Sequence, residues 1–192
     1  MKHRFRWTCY DPEALLKGVD TLSKFMNRVN KQSEEDHHKG WTADEYKGMA
    51  FEGLIEVFIK NSRIDKRVNI TEYRPHSVKL DGKDVGIDGY GLTHHGRPVT
   101  IQIKFRSNIM EDLKTKDSIS NFVATSETNP KFKDSRWSDP DMVIFTTAKD
   151  LNQFLAEKMY HDKVRTFGYK ELSKMLDKND AFWNIFRAEM GI

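Results

Sequence analysis

The stretch VGIDGYGLTHHGRPVTIQIKF, residues 85 to 105, decides the reading of this chain. In its second half Val99, Ile101, Ile103 and Phe105 alternate strictly with Thr100, Gln102 and Lys104, which predicts a β-strand with one apolar and one polar face. THHGRP before it, punctuated by Gly96 and Pro98, predicts a hairpin turn, and VGIDGYGL supplies the partner strand. Upstream, VNITEY and SVKLDG also alternate, so a run of antiparallel strands begins near Val68.

Working outward, MVIFTT (142 to 147) is short, rich in branched residues and bounded by Pro140 and Lys149, as a buried strand is. Asp150 is placed to cap a helix to about Met159, KVRTF reads as a further strand, and GYKELSKML and DAFWNIFRAEM as two closing helices. Between the hairpin and MVIFTT, residues Glu111 to about Ser126 read as partly helical, and NPKFKDSRWSDP as a loop. Towards the N-terminus, Thr42 with Glu45 three positions later is a capping-box pattern, and Tyr46, Met49, Ala50, Leu54, Val57 and Phe58 follow at helical spacing, predicting a helix over 43–60. One more amphipathic helix is expected from Glu13 to about Asn30. This order predicts an α/β fold, a mixed sheet flanked by helices. A helical extension over 1–40 would precede a main domain over 41–192.

Chemistry concentrates around the hairpin. Gln102 and Lys104 lie two apart on the polar face of their strand, and Asp88 comes from the adjacent strand, so the three side chains are expected to converge. Hard divalent cations take oxygen ligands, commonly one or two carboxylates with water and substrate phosphate. Asp88, the Gln102 side-chain oxygen and the Ile103 backbone carbonyl form such a set. A metal so held activates water for phosphodiester hydrolysis, and Lys104 is suited to orient that water and offset developing charge. Glu52 and Glu56 stand one turn apart on the helix over 43–60, and Glu52 is the favoured fourth member. Arg106, Lys114 and Lys116 are candidates for phosphate contacts, against the plainer reading of a solvated charged loop. His37, His38, His94 and His95 read as surface residues, and Trp183 and Trp137 as core.

The 32 basic and 29 acidic side chains, net +3, permit a polyanionic partner without establishing one. The single cysteine, Cys9, makes neither an intramolecular disulfide nor a zinc site by itself. Acidic residues interrupt the first twenty positions where a signal peptide would be apolar, and no apolar run is long enough for a membrane span, so a cytoplasmic setting away from membranes is expected.

Together, GMAFEGL (48 to 54), VGID, IQIKF, MVIFTT and KVRTFGYKEL resemble the Mrr-like branch of the PD-(D/E)XK nuclease superfamily, over roughly residues 43 to 177. The resemblance implies a restriction-endonuclease-like fold, with the first helix and the last lying outside it as recognition or dimerisation elements. It implies Asp88 as metal-binding aspartate, Gln102 as the ligand of a Gln-x-Lys variant, Lys104 as catalytic lysine and Glu52 as the helix glutamate. Ile87 stands where the family motif often has proline. The implied function is a Mg2+- or Mn2+-dependent DNA endonuclease, as a homodimer or with a partner subunit where both strands are cut. Two other readings stay open: an inactive DNA-binding or assembly module on the same fold, and a structure-selective nuclease for junctions.

Overall fold

The computed structural model describes residues 5, 8–9, 11–35, 40–61, 67–75, 79–80, 83–84, 86–113, 118–128, 139–149 and 164–192. The expected helix from Asp150, residues Lys114 and Lys116, His37, His38 and Trp137 lie outside the described residues.

In chain order the elements are α1 (Pro12–Leu16), α2 (Leu22–Ser33), α3 (Ala43–Lys60), β1 (Ile70–Pro75), β2 (Lys79–Leu80), β3 (Lys83–Asp84), β4 (Gly89–Thr93), β5 (Pro98–Lys104), α4 (Ser118–Thr128), β6 (Asp141–Thr146), β7 (Val164–Phe167), α5 (Tyr169–Leu176) and α6 (Asp180–Met190). Five strands form one sheet in the order β1-β4-β5-β6-β7, and β2 and β3 make a separate small hairpin. β1, β4 and β5 run antiparallel, whereas β5, β6 and β7 are parallel. The sheet is therefore mixed, and it is flanked by helices on both faces. β5 sits at its centre with one neighbour of each kind.

The helix over Ala43–Lys60 begins at a complete capping box. Thr42 Oγ1 accepts from the Glu45 amide, and the Glu45 carboxylate accepts from the Thr42 amide. Its buried residues cover almost every face of its second half, from Gly53 to Ile59, because the sheet lies on one side and α2 and α6 on the other. Val99, Ile101, Ile103, Val143 and Phe145 join that cluster from the sheet. On the opposite sheet face Met142 and Ile144 pack with Ile119, Phe122 and Val123 of α4.

The single helix expected from Glu13 to Asn30 is two. Gly18 takes φ of +69°, and Thr21 caps a new start by accepting from the Lys24 amide at 3.2 Å. The apolar spacing runs through the break, which is why periodicity alone does not reveal it. Both helices share the α3 cluster with the C-terminal segment: Phe25 meets Trp183 and Phe186, and Arg187 donates to the Val19 carbonyl at 2.6 Å. Asp177 accepts from the Leu22 amide at 2.8 Å. Trp183 is core, as expected, with its indole N–H on the Leu176 carbonyl.

The strand edge that carries the hairpin depends on a close backbone approach. β1 shifts register between Ile70 and Glu72, and this bulge drives the Glu72 carbonyl to where a Cβ on Gly91 would stand, 1.7 Å away. Gly91→Ala is expected to cost about 1–3 kcal/mol as an overpacked contact. Urea denaturation measures this, and an unchanged midpoint would mean that the bulge has room to relax.

Candidate active site

β4 and β5 pair from Leu92↔Pro98 down to Gly89↔Ile101, and Asp88 stands one step beyond that last pair. Two bonds hold it there. Its amide donates to the Ile101 carbonyl at 2.9 Å, and its Oδ2 accepts from the Ile103 amide at 2.6 Å. Along a strand, alternate residues turn their N–H and C=O to the same edge, so the Ile103 carbonyl faces the Asp88 side of β5 as well.

Above this point lies a cleft of about 480 Å³. One wall is the first half of α3, with Asp44, Lys47, Gly48 and Glu52; the other is Asp88, the end of β5 at Ile103 and Lys104, and the segment after it through Ser107. Asp44, Gly48 and Glu52 are spaced by four, so they form one stripe of the helix. Gly48 has no atom within 4 Å of where a Cβ would be, which leaves the stripe open in the middle. The cleft thus holds Glu52 and Asp88 beside Lys104, with Lys47 and exposed Arg106 also lining it. Lys47 is 3.8 Å from Asp44.

The other expected residues fall elsewhere. Gln102, expected on the polar face of its strand to converge with Asp88 and Lys104, is fully buried and is not among the cleft-lining residues. All five interior positions of β5 are buried, because the face bearing Thr100 and Gln102 is covered by α4. Thr100 and Ser126 share a hydroxyl hydrogen bond of 2.8 Å across that interface. Thr100 thus meets a polar partner inside the protein. Glu56 is also buried and pairs with Lys60 of its own helix, away from the cleft lining. His94 and His95 are exposed in the hairpin turn, as expected.

The chemistry of the donor set suits a hard cation. Among the described residues no group of three or more His, Cys, Asp or Glu is placed to hold a metal alone. A pair of carboxylates with a nearby carbonyl is what Mg2+ typically takes from a protein, with water and phosphate supplying the rest.

Tyr73 is a site neighbour that the sequence reading passed over. Its ring crosses Gly89, where a Cβ would fall 2.3 Å from Cε2 and 2.9 Å from the hydroxyl. Burial first, and then the negative charges of Glu56, Asp88 and Glu52, push its pKa far above the ordinary tyrosine range. The phenol therefore stays neutral near these three carboxylates. The only sequence sign of this is the glycine itself, a position where a strand accepts close packing. Tyr46 is shifted in the same direction by burial and by Cys9, and its hydroxyl donates to Gln32 at 2.7 Å.

An unfolded tyrosine loses its proton near pH 10.0, whereas Tyr46 and Tyr73 keep theirs in the folded chain to higher pH. Stability from these two groups is therefore fully present below pH 10.0 and declines as pH rises beyond it. Tyrosinate absorbance followed against circular dichroism is expected to show both ionising only with unfolding. Ionisation of all six tyrosines before any loss of structure would contradict this.

No protein-family model matches the chain, and no curated protein matches it. Among solved structures it is similar to the MspJI restriction endonuclease in complex with a 27-mer oligonucleotide, at 12% sequence identity and a TM-score of 0.43. The match covers 77% of this chain and 33% of that one, so the chain spans about a third of that protein's length. An overlay this loose speaks to neither family nor chemistry. Among the described residues, no helix is long and apolar enough to cross a membrane.

Proposed function

We propose that this chain is a divalent-metal-dependent DNA endonuclease that hydrolyses phosphodiester bonds. The observation that carries the reading is the shared cleft of Asp88, Glu52 and Lys104, with Asp88 bonded to the Ile103 amide at 2.6 Å. Two carboxylates and an ammonium group are what metal-assisted attack on a phosphodiester needs: oxygen donors for the cation and a positive charge near the reacting phosphate.

Asp88, Glu52 and the Ile103 carbonyl would hold Mg2+ or Mn2+. A cation bound there supplies a water of lowered pKa and neutralises charge on the phosphate oxygens. Lys104 orients the attacking water and offsets charge in the transition state. Arg106 and Lys47 grip the phosphate backbone, which fixes position on the duplex without reading sequence. Because one such site cuts one strand, double-strand cleavage would take a second copy or a partner subunit.

A second reading, a DNA-binding module that does not cut, draws on Gln102. That side chain, one of the oxygen donors the sequence suggested, is buried and does not line the cleft. Supercoiled plasmid incubated with Mg2+ or Mn2+, and with EDTA, separates the two. Wild type is expected to nick or linearise it, EDTA to abolish cutting, and Asp88→Ala and Lys104→Ala each to slow it by about 10²-fold or more. Gln102→Ala is expected to change the rate far less than either. DNA binding without cleavage under any divalent ion would favour the module; cleavage indifferent to both alanine variants would mean that the chemistry lies elsewhere.

A further inference from the structure

The parallel ladder of β5 and β6 ends at the pair Lys104↔Thr146. Beyond it β6 leaves the sheet and bends over 147–149, where the Ala148 carbonyl takes the Tyr169 amide and the Lys149 amide turns to the Glu111 carbonyl. β5 would then run on past Lys104 without a neighbouring strand on that side. Two threonine hydroxyls meet it instead. Thr146 Oγ1 donates to the Lys104 carbonyl at 2.9 Å and accepts from the Ala148 amide at 3.1 Å, while the Thr147 amide approaches the same Lys104 carbonyl at 3.2 Å. Thr147 Oγ1 does more: it accepts from the Arg106 amide at 2.6 Å and donates to the Arg106 carbonyl at 2.7 Å.

One hydroxyl that both accepts from and donates to the same residue does what a facing peptide group does in a strand pair. A threonine offers one proton and two lone pairs, enough for both roles at once. Serine could offer the same; valine, of the same shape, could offer neither. The residues braced in this way, Lys104 at the end of β5 and Arg106 two residues beyond it, both line the cleft. The segment is also fixed by packing, since Phe105 sits edge-on to Phe51 of α3.

Building on the nuclease reading above, we propose that Thr147 is a positioning residue. Its hydroxyl extends the β5–β6 ladder by one side-chain-made bridge and so presents Arg106, and Lys104 two residues earlier, to the phosphodiester in the cleft. It touches no substrate itself and acts through the backbone of β5. Displacements of about 1 Å in such a segment can cost on the order of 10²-fold in rate, so losing the bridge should be visible.

The test uses the full chain and four variants, Thr147→Val, Thr147→Ser, Arg106→Ala and Thr147→Val with Arg106→Ala. Affinity is measured with a fluorescein-labelled duplex in EDTA, and the cleavage rate at saturating plasmid in Mg2+. Thr147→Val is expected to weaken duplex binding about threefold or more and to lower the saturating rate about tenfold, while Thr147→Ser stays within about twofold of wild type. On the Arg106→Ala background, Thr147→Val is expected to add no further loss of affinity. A merely structural role would lower thermal stability and leave this coupling absent.

The proposal is overturned if folded Thr147→Val binds and cuts like wild type, if serine is as damaging as valine, or if the two substitutions weaken binding independently. Should valine prevent folding, Thr147→Cys keeps the size, weakens both bonds and runs the same cycle. If wild type binds DNA but never cuts it, the nuclease reading falls while the binding cycle still decides the bridge to Arg106. A chain that neither binds nor cuts DNA overturns both.

Discussion

The bond from the Ile103 amide to the Asp88 carboxylate is the constraint around which the candidate site is built. A hairpin would normally continue its ladder with a peptide carbonyl at that position; here a side-chain carboxylate takes the amide instead. The exchange ends strand pairing and at the same step turns an acidic group towards the mouth of the sheet. α3 then has to bring Glu52 over the same point. Asp44, Gly48 and Glu52 line the cleft while Met49, Ala50 and Phe51 of the same turns are buried in the core.

Much of this is written locally in the chain. The hairpin turn at THHGRP, the capping box at Thr42 and the strand MVIFTT all follow from signals a few residues long, and the helix over Ala43–Lys60 has the ends that its cap and its apolar spacing require. What is not local is harder to read. Whether Thr100 and Gln102 face water or protein depends on α4, which comes later in the chain and shows its role only through a partner such as Ser126. The break at Gly18 hides because one apolar face continues across it. For the site, the same limit applies: Asp88 and Lys104 share a hairpin and are visible together, whereas Tyr73 and the brace from Thr147 come from elements that only the folded chain brings near.

Three threonine hydroxyls at and beside β5 follow one pattern. Thr100 meets Ser126, and Thr146 and Thr147 meet backbone groups, so these hydroxyls have protein partners instead of solvent. Such pairing fixes register as well as satisfying hydrogen bonds, because a slip of one residue would move each hydroxyl to the wrong face. Gln102 lies within this zone. A fully enclosed amide there fits a strand whose alignment must be kept at the point where its backbone meets the cleft.

The two ties on β5 differ in how far along the chain they reach. Asp88 and Ile103 are joined across a short hairpin and can find each other early, since closing a small loop is entropically cheap and fast. The ties from Thr146 and Thr147 need β6, which arrives only after α4 and the long connection that follows it, and parallel pairing of this kind forms late. The Asp88 tie therefore stays within one hairpin, whereas the ties on Lys104 and Arg106 reach 42 and 41 residues along the chain. One tie on β5 is thus local and the other long-range, and the cleft takes its shape only where both are made.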